Sequence, residues 1–104
     1  MNRLIVVLAL LAAAPAIAGN PEAGKEKSAV CTACHGAEGK NPPGADFPKL
    51  AGQYYDYLVQ SMKDYQSGAR NNPIMRPQVA NLSEQDLEDL AAYYSHQEGL
   101  TVKY

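Results

Sequence analysis

Residues 31–40 read CTACHGAEGK, so both cysteines of the chain and one of its two histidines fall within five positions. Thiols and imidazoles are nucleophiles and metal ligands, and three chemistries use them at this spacing: a thiol–disulfide switch, part of a zinc site, or an anchor for a cofactor. Each makes a different demand on the surrounding elements. A redox pair needs a helix N-terminus, usually packed on a sheet, to lower the thiol pKa. Structural zinc needs four ligands. An anchor needs a chain able to wrap what it anchors.

Those elements can be read from punctuation and period. Asn20-Pro21-Glu22 is a helix start, with an N-cap, a proline at the first helical position and an acid beside the positive end of the dipole. That helix is expected from about Pro21 to about Cys34. Residues 36–48, GAEGKNPPGADFP, hold three Gly and three Pro and no helical period, so they read as a long loop of the kind that wraps something. The period returns from Gln53 to Ser67, where Tyr55, Leu58, Met62 and Tyr65 share one face and Gly68 is a natural stop. ARNNPIMRPQVAN, residues 69–81, is expected to be irregular because Pro73 and Pro77 restrict Asn72 and Arg76, which places Met75 in a loop. Ser83 and Asp86 form a capping pattern ahead of the apolar stripe Leu87, Leu90, Ala91 and Tyr94, in a helix ending near Gly99. No alternating strand pattern appears. The expected class is all-α, with three main helices and two wrapped loops.

MNRLIVVLALLAAAPAIAGN, at the start, has the layout of a secretory signal: Arg3, an apolar run from Leu4 to Ala14, and the small-residue site Ala16-Ile17-Ala18. The run is too short to span a bilayer comfortably. The expected organisation is a signal peptide at 1–18 and one domain at 19–104, exported to a bacterial periplasm, with no membrane span once the signal is removed. Nine basic and eleven acidic residues give a net charge of −2, and no basic patch stands out, so nucleic acid is not expected as a partner. With no Trp and a single Phe, Phe47, the core is thin, and a chain this small usually needs a staple.

The cysteine pair falls at the end of a helix, where the dipole disfavours a thiolate, and no sheet is expected; both points weigh against a redox switch. Beyond Cys31, Cys34 and His35 the only obvious further nitrogen donor for zinc is the distant His96. A Cys31–Cys34 disulfide would close too short a loop to add much stability, and it leaves His35 unexplained. Cys-x-x-Cys-His is, by contrast, the attachment sequence for c-type haem. Sulfurs at i and i+3 of a helix share a face and can form thioethers with two vinyl groups, while His35 can turn its ring beneath the iron. One covalently attached haem c would also be the staple, a large apolar surface for helices with few aromatics to pack around.

With CTACHG at 31–36, FPKLAGQ at 47–53, YLVQSMKDYQSGAR at 57–70, NPIM at 72–75 and NLSEQDLEDLAAYYS at 81–95, the chain resembles class I cytochrome c. It is most similar in pattern to small soluble single-haem bacterial members and to the single-haem halves of their two-haem relatives. The resemblance implies the small cytochrome c fold over 19–104 around one haem. It implies Cys31 and Cys34 as thioether attachments, His35 and Met75 as axial iron ligands, and the backbone carbonyl of Pro48 as acceptor for the His35 ring. Met62 belongs to the helical stripe and reads as core filler. His96 reads as a solvated or dipole-facing residue near a helix end. Arg76 and Gln78 stand where relatives often show a small residue and a second Met, and Arg76 faces either a haem propionate or solvent. The acidic run from Glu84 to Asp89 reads as a solvated helix face. The implied function is electron transfer, not enzymatic catalysis: a monomeric periplasmic shuttle moving one electron between transient redox partners. The alternatives are a haem subunit of a larger oxidoreductase complex and a ligand-binding haem protein.

Overall fold

The computed structural model describes residues 3–6 and 18–99, so the expected signal peptide at 1–18 lies mostly outside the described residues. Asn20 starts the first helix as its side chain predicts, its Oδ1 accepting the backbone N–H groups of Glu22 and Ala23 at 2.9 and 3.3 Å. The single helix expected to reach Cys34 is instead three pieces: α1 (Pro21–Lys27), a 3-10 turn (Ser28–Val30) and α2 (Thr32–His35). Two hydroxyls mark the break, Ser28 donating to the Lys25 carbonyl at 2.6 Å and Thr32 to that of Ala29 at 2.8 Å. Such local bonds compete with the α-helical ladder and tighten it into 3-10 geometry.

A second 3-10 turn (Ala37–Gly39) opens the long loop, and α3 (Tyr55–Ser67) follows with Gly68 as its C-cap, as expected. Residues 69–81 are not wholly irregular, for α4 (Met75–Val79) forms one helical turn there. Asn72 explains it: Oδ1 accepts from the N–H of Ile74 at 2.9 Å and of Met75 at 3.0 Å. Pro77 does not prevent the turn because the first N–H groups of a helix have no partner inside it. Met75 therefore begins a helix rather than lying in open loop. α5 (Glu84–Ser95) carries the full capping box between Ser83 and Asp86 and ends earlier than Gly99. Among the described residues all regular structure is helical, the expected all-α class, and α1, α3 and α5 are the long helices.

The most extensive pairings are α5 with α1 and α5 with α3. Leu58 of α3 joins Leu90, Ala91, Tyr93 and Tyr94 of α5 in the buried cluster, so the stripe read on each helix is the face it buries. At the α1–α5 crossing the helices nearly touch: a Cβ on Gly24 would lie 2.0 Å from the Asp89 carbonyl oxygen. Only glycine permits that approach.

Asp89 itself departs from the solvated face expected of it. It is 3% exposed. Its carboxylate accepts from the Asn20 N–H at 2.8 Å, Gln85 Nε2 at 2.8 Å and Lys27 Nζ at 2.6 Å, while Lys27 also pairs with Asp86 at 2.8 Å. The hydrogen bonds from Lys27 and from Ser83 hold the Asp86 carboxyl down at about 2, against an ordinary 3.8. The Asn20 N–H, then Lys27, lowers Asp89 as well. Depressed folded-state values mean that this cluster stabilises fully above the unfolded carboxyl range and is lost as pH falls from about 4 toward 2. In denaturant unfolding, the stability gap between the native chain and Lys27→Met is thus expected to stay constant from pH 7 to about 4.5 and to narrow below that. A gap independent of pH down to 2 would remove the assignment.

Candidate functional site

Cys31 stands at the joint between the 3-10 turn and α2, donating its N–H to Ser28 at 2.8 Å and accepting those of Cys34 at 3.3 Å and His35 at 3.0 Å. One turn thus separates the two sulfurs along a single face, the geometry anticipated from the spacing. Cys31 and Cys34 are not joined as a disulfide. Burial pushes the Cys31 thiol above its ordinary value of 9.0, with the neighbouring Tyr94 hydroxyl opposing the rise. A resting thiolate nucleophile is not what this environment favours.

Gly36 ends α2 at φ +82°, where a Cβ would sit 2.3 Å from the Asn41 carbonyl oxygen. This turn folds the long loop back toward α2 and brings Pro48 to His35. His35 is 7% exposed, and its Nδ1 lies 2.8 Å from the Pro48 carbonyl oxygen. A carbonyl only accepts, so Nδ1 carries the hydrogen and Nε2 keeps the lone pair, the form in which an imidazole binds a metal. The Pro48 carbonyl thus lies within hydrogen-bond distance of the His35 ring.

Cys31, Cys34, His35, Pro48 and Met75 all line one cavity of about 450 Å³, walled mainly by apolar side chains from α3, α5 and the loops. Its size lies within the range of small-molecule and cofactor sites. Soft sulfur from Met75, imidazole nitrogen from His35 and two thiols in an apolar enclosure suit a covalently held iron porphyrin. Among the described residues no cluster of three His, Cys, Asp or Glu side chains could hold a metal ion. His96 does not reach the cavity; it is exposed at the end of α5 with Nδ1 donating to the Ala92 carbonyl at 2.6 Å.

Met62 lines the cavity too, and it packs on the Leu58–Tyr94 cluster. Arg76 does not line the cavity and its guanidinium runs beside Gly68, whereas Arg70 does line it. The Arg70 guanidinium carbon lies 4.7 Å from the centroid of the Tyr65 ring, a cation–π contact, and Lys49 is the other cation on the cavity wall. The sequence reading gave Arg70 no role; the available signal was Tyr65, five residues earlier, closing the apolar stripe of α3.

Residues 21–97 match the family described as Cytochrome c. Cytochrome c4 of Pseudomonas aeruginosa is 48% identical over 100 residues, a span covering 93% of this chain and 49% of that protein. Cytochrome c-554(548) of Halomonas halodenitrificans is 43% identical over 84 residues, 78% of this chain and the whole of that protein. The crystal structure of reduced recombinant cytochrome c4 from Pseudomonas stutzeri superposes with a TM-score of 0.73 at 44% identity, over 79% of this chain and 47% of that one. The chain spans about half the length of the cytochromes c4 it matches. The likeness extends over the whole helical body and not the pentapeptide alone: the chain belongs to the cytochrome c family, whose domains bind haem c covalently.

Proposed function

We propose that this chain is a periplasmic one-electron carrier, a single-haem c-type cytochrome with both axial positions of its iron filled by side chains. The observation supporting this most directly is that five residues from three segments, Cys31, Cys34 and His35 together with Pro48 and Met75, meet at one cavity. Cys31 and Cys34 would hold the porphyrin as thioethers. His35 offers Nε2 to the iron while the Pro48 carbonyl fixes the ring and makes it a stronger donor. Met75 offers its sulfur from a backbone already held by Asn72. Arg70 and Lys49 supply positive charge for the porphyrin carboxylates. Haem c, when bound, contributes an Fe(III)/Fe(II) couple, and His/Met ligation favours the reduced state.

With His35 and Met75 both offered to the iron, dioxygen, peroxide and substrate would have no open site, and electron transfer would be the chemistry left to the bound haem. Residues 1–18 act as the export signal. Among the described residues no helix is long and apolar enough to cross a membrane. The carrier works as a monomer and docks briefly on other redox proteins through a small interface.

The test is a spectrum of the protein made in a host able to attach haem, taken after denaturation in alkaline pyridine with reductant. Haem is expected to remain on the chain with a thioether-type band, and carbon monoxide is expected not to bind the native reduced protein at neutral pH. Extractable haem would reject covalent attachment. Rapid, complete carbon monoxide binding would favour the ligand-binding alternative.

A further inference from the structure

The Tyr94 hydroxyl makes no hydrogen bond among the described residues. The residue is 3% exposed, and among the described residues its hydroxyl is the one buried side-chain polar atom without a hydrogen-bond partner. A buried donor left unmade is destabilising, and native cores rarely keep one without a reason. The ring cannot swing the group to solvent. It meets Tyr93 edge-on at 5.0 Å and packs among Leu58, Leu90 and Ala91.

Two polar neighbours stand beside it, Ser28 and Cys31. The Ser28 hydroxyl already donates to the Lys25 carbonyl. Cys31 packs on the same cluster as Tyr94 and shares the cavity wall with it. As a thiol, the Cys31 sulfur is a weak acceptor with a hydrogen of its own. As a thioether it has lost that hydrogen and can only accept.

We infer that Tyr94 donates a hydrogen bond to the Cys31 sulfur once that sulfur is a thioether, and that the bond raises the midpoint potential of the haem. Drawing electron density from a sulfur bonded to the porphyrin periphery favours the electron-rich reduced state, and so does the positive end of an O–H dipole turned toward the ring. Both effects are strengthened by the low dielectric of a buried site. Tyr94 is thus a tuning residue acting through Cys31, while His35 and Met75 set the base value.

The inference rests on covalent attachment at Cys31, and its test separates the two. Tyr94→Phe keeps the ring and removes only the hydroxyl. In the holoprotein it is expected to lower the midpoint potential, changing the reduced-to-oxidised ratio at fixed poise by roughly two- to fivefold, the scale of one weak hydrogen bond. It is also expected to shift the C–S stretching vibration of the Cys31 thioether in resonance Raman spectra. Ser28→Ala should leave both unchanged. A Tyr94→Phe holoprotein with covalent haem but unaltered potential and C–S frequency would overturn the inference and leave attachment standing. Equal changes in Ser28→Ala would overturn it as well, by assigning the hydroxyl to Ser28. Native protein without covalent haem would instead remove the functional reading beneath it.

Discussion

Met75→Ala is expected to lose the sulfur-to-iron absorption band of the ferric protein, to bind carbon monoxide when reduced, and to show a lower midpoint potential. The sulfur sits on the first residue of α4, whose N–H is held at 3.0 Å by Asn72 Oδ1. That bond belongs to the backbone, so truncating the side chain leaves the helical turn in place and opens a coordination position. Loss of a thioether ligand removes the preference for the reduced state that His/Met ligation supplies. Each tenfold loss of that preference lowers a one-electron potential by about 59 mV. Met62 lines the same cavity, and its variant is the decisive control. Because Met62 packs against the buried cluster of α3 and α5, Met62→Ala is expected to keep the band and the closed site while losing stability on the order of 2 kcal/mol. Opposite results for the two variants would transfer the ligand role to α3.

What the chain's letters disclosed was the chemistry carried by near neighbours in sequence. Cys31, Cys34 and His35 fall within one turn, Asn20 caps the two residues that follow Pro21 and itself, and Ser83 exchanges bonds with Asp86; none of these needs the rest of the fold to be legible. The helical stripes of α3 and α5 were legible for the same reason. Features that depend on return of the chain were not. Asp89 looked solvated because its partners Asn20 and Lys27 lie 69 and 62 residues away. α4 was missed because two prolines outweighed the Asn72 side chain that nucleates the turn. Tyr94 was read correctly as part of an apolar face, yet its orphaned hydroxyl exists only by virtue of what surrounds it. Pro48 and Met75 were placed by family resemblance, and their meeting with His35 at one cavity is a property of the folded loops.

Asp89→Ala is expected to cost about 1.5–3 kcal/mol, the range for losing hydrogen bonds to a buried charged group, out of a total stability of roughly 5–15 kcal/mol for a typical domain. The carboxylate side chain is 4% exposed and Lys27 has no replacement for it other than Asp86. The Asn20 N–H, which tethers the start of α1, and Gln85 lose an acceptor at the same time. Lys63 and Glu84 make a pair of similar length, 2.9 Å, but with side chains 41% and 68% exposed. Their separation by Lys63→Ala is expected to leave the denaturation midpoint essentially where it is, because water already solvates both charges. Distance alone would rank the two pairs together; burial separates them. Denaturant titration of the holoprotein measures both, and the midpoint for Asp89→Ala should fall steeply with the slope unchanged. Asp89→Asn retains an oxygen for the Asn20 N–H and should lose less than alanine. The consequence reaches the haem, because α5 carries Tyr94 on the cavity wall and the α1–α5 crossing is what holds it against Cys31. A loss below about 1 kcal/mol for Asp89→Ala would mean that the Gly24 contact, not the carboxylate, fixes that crossing.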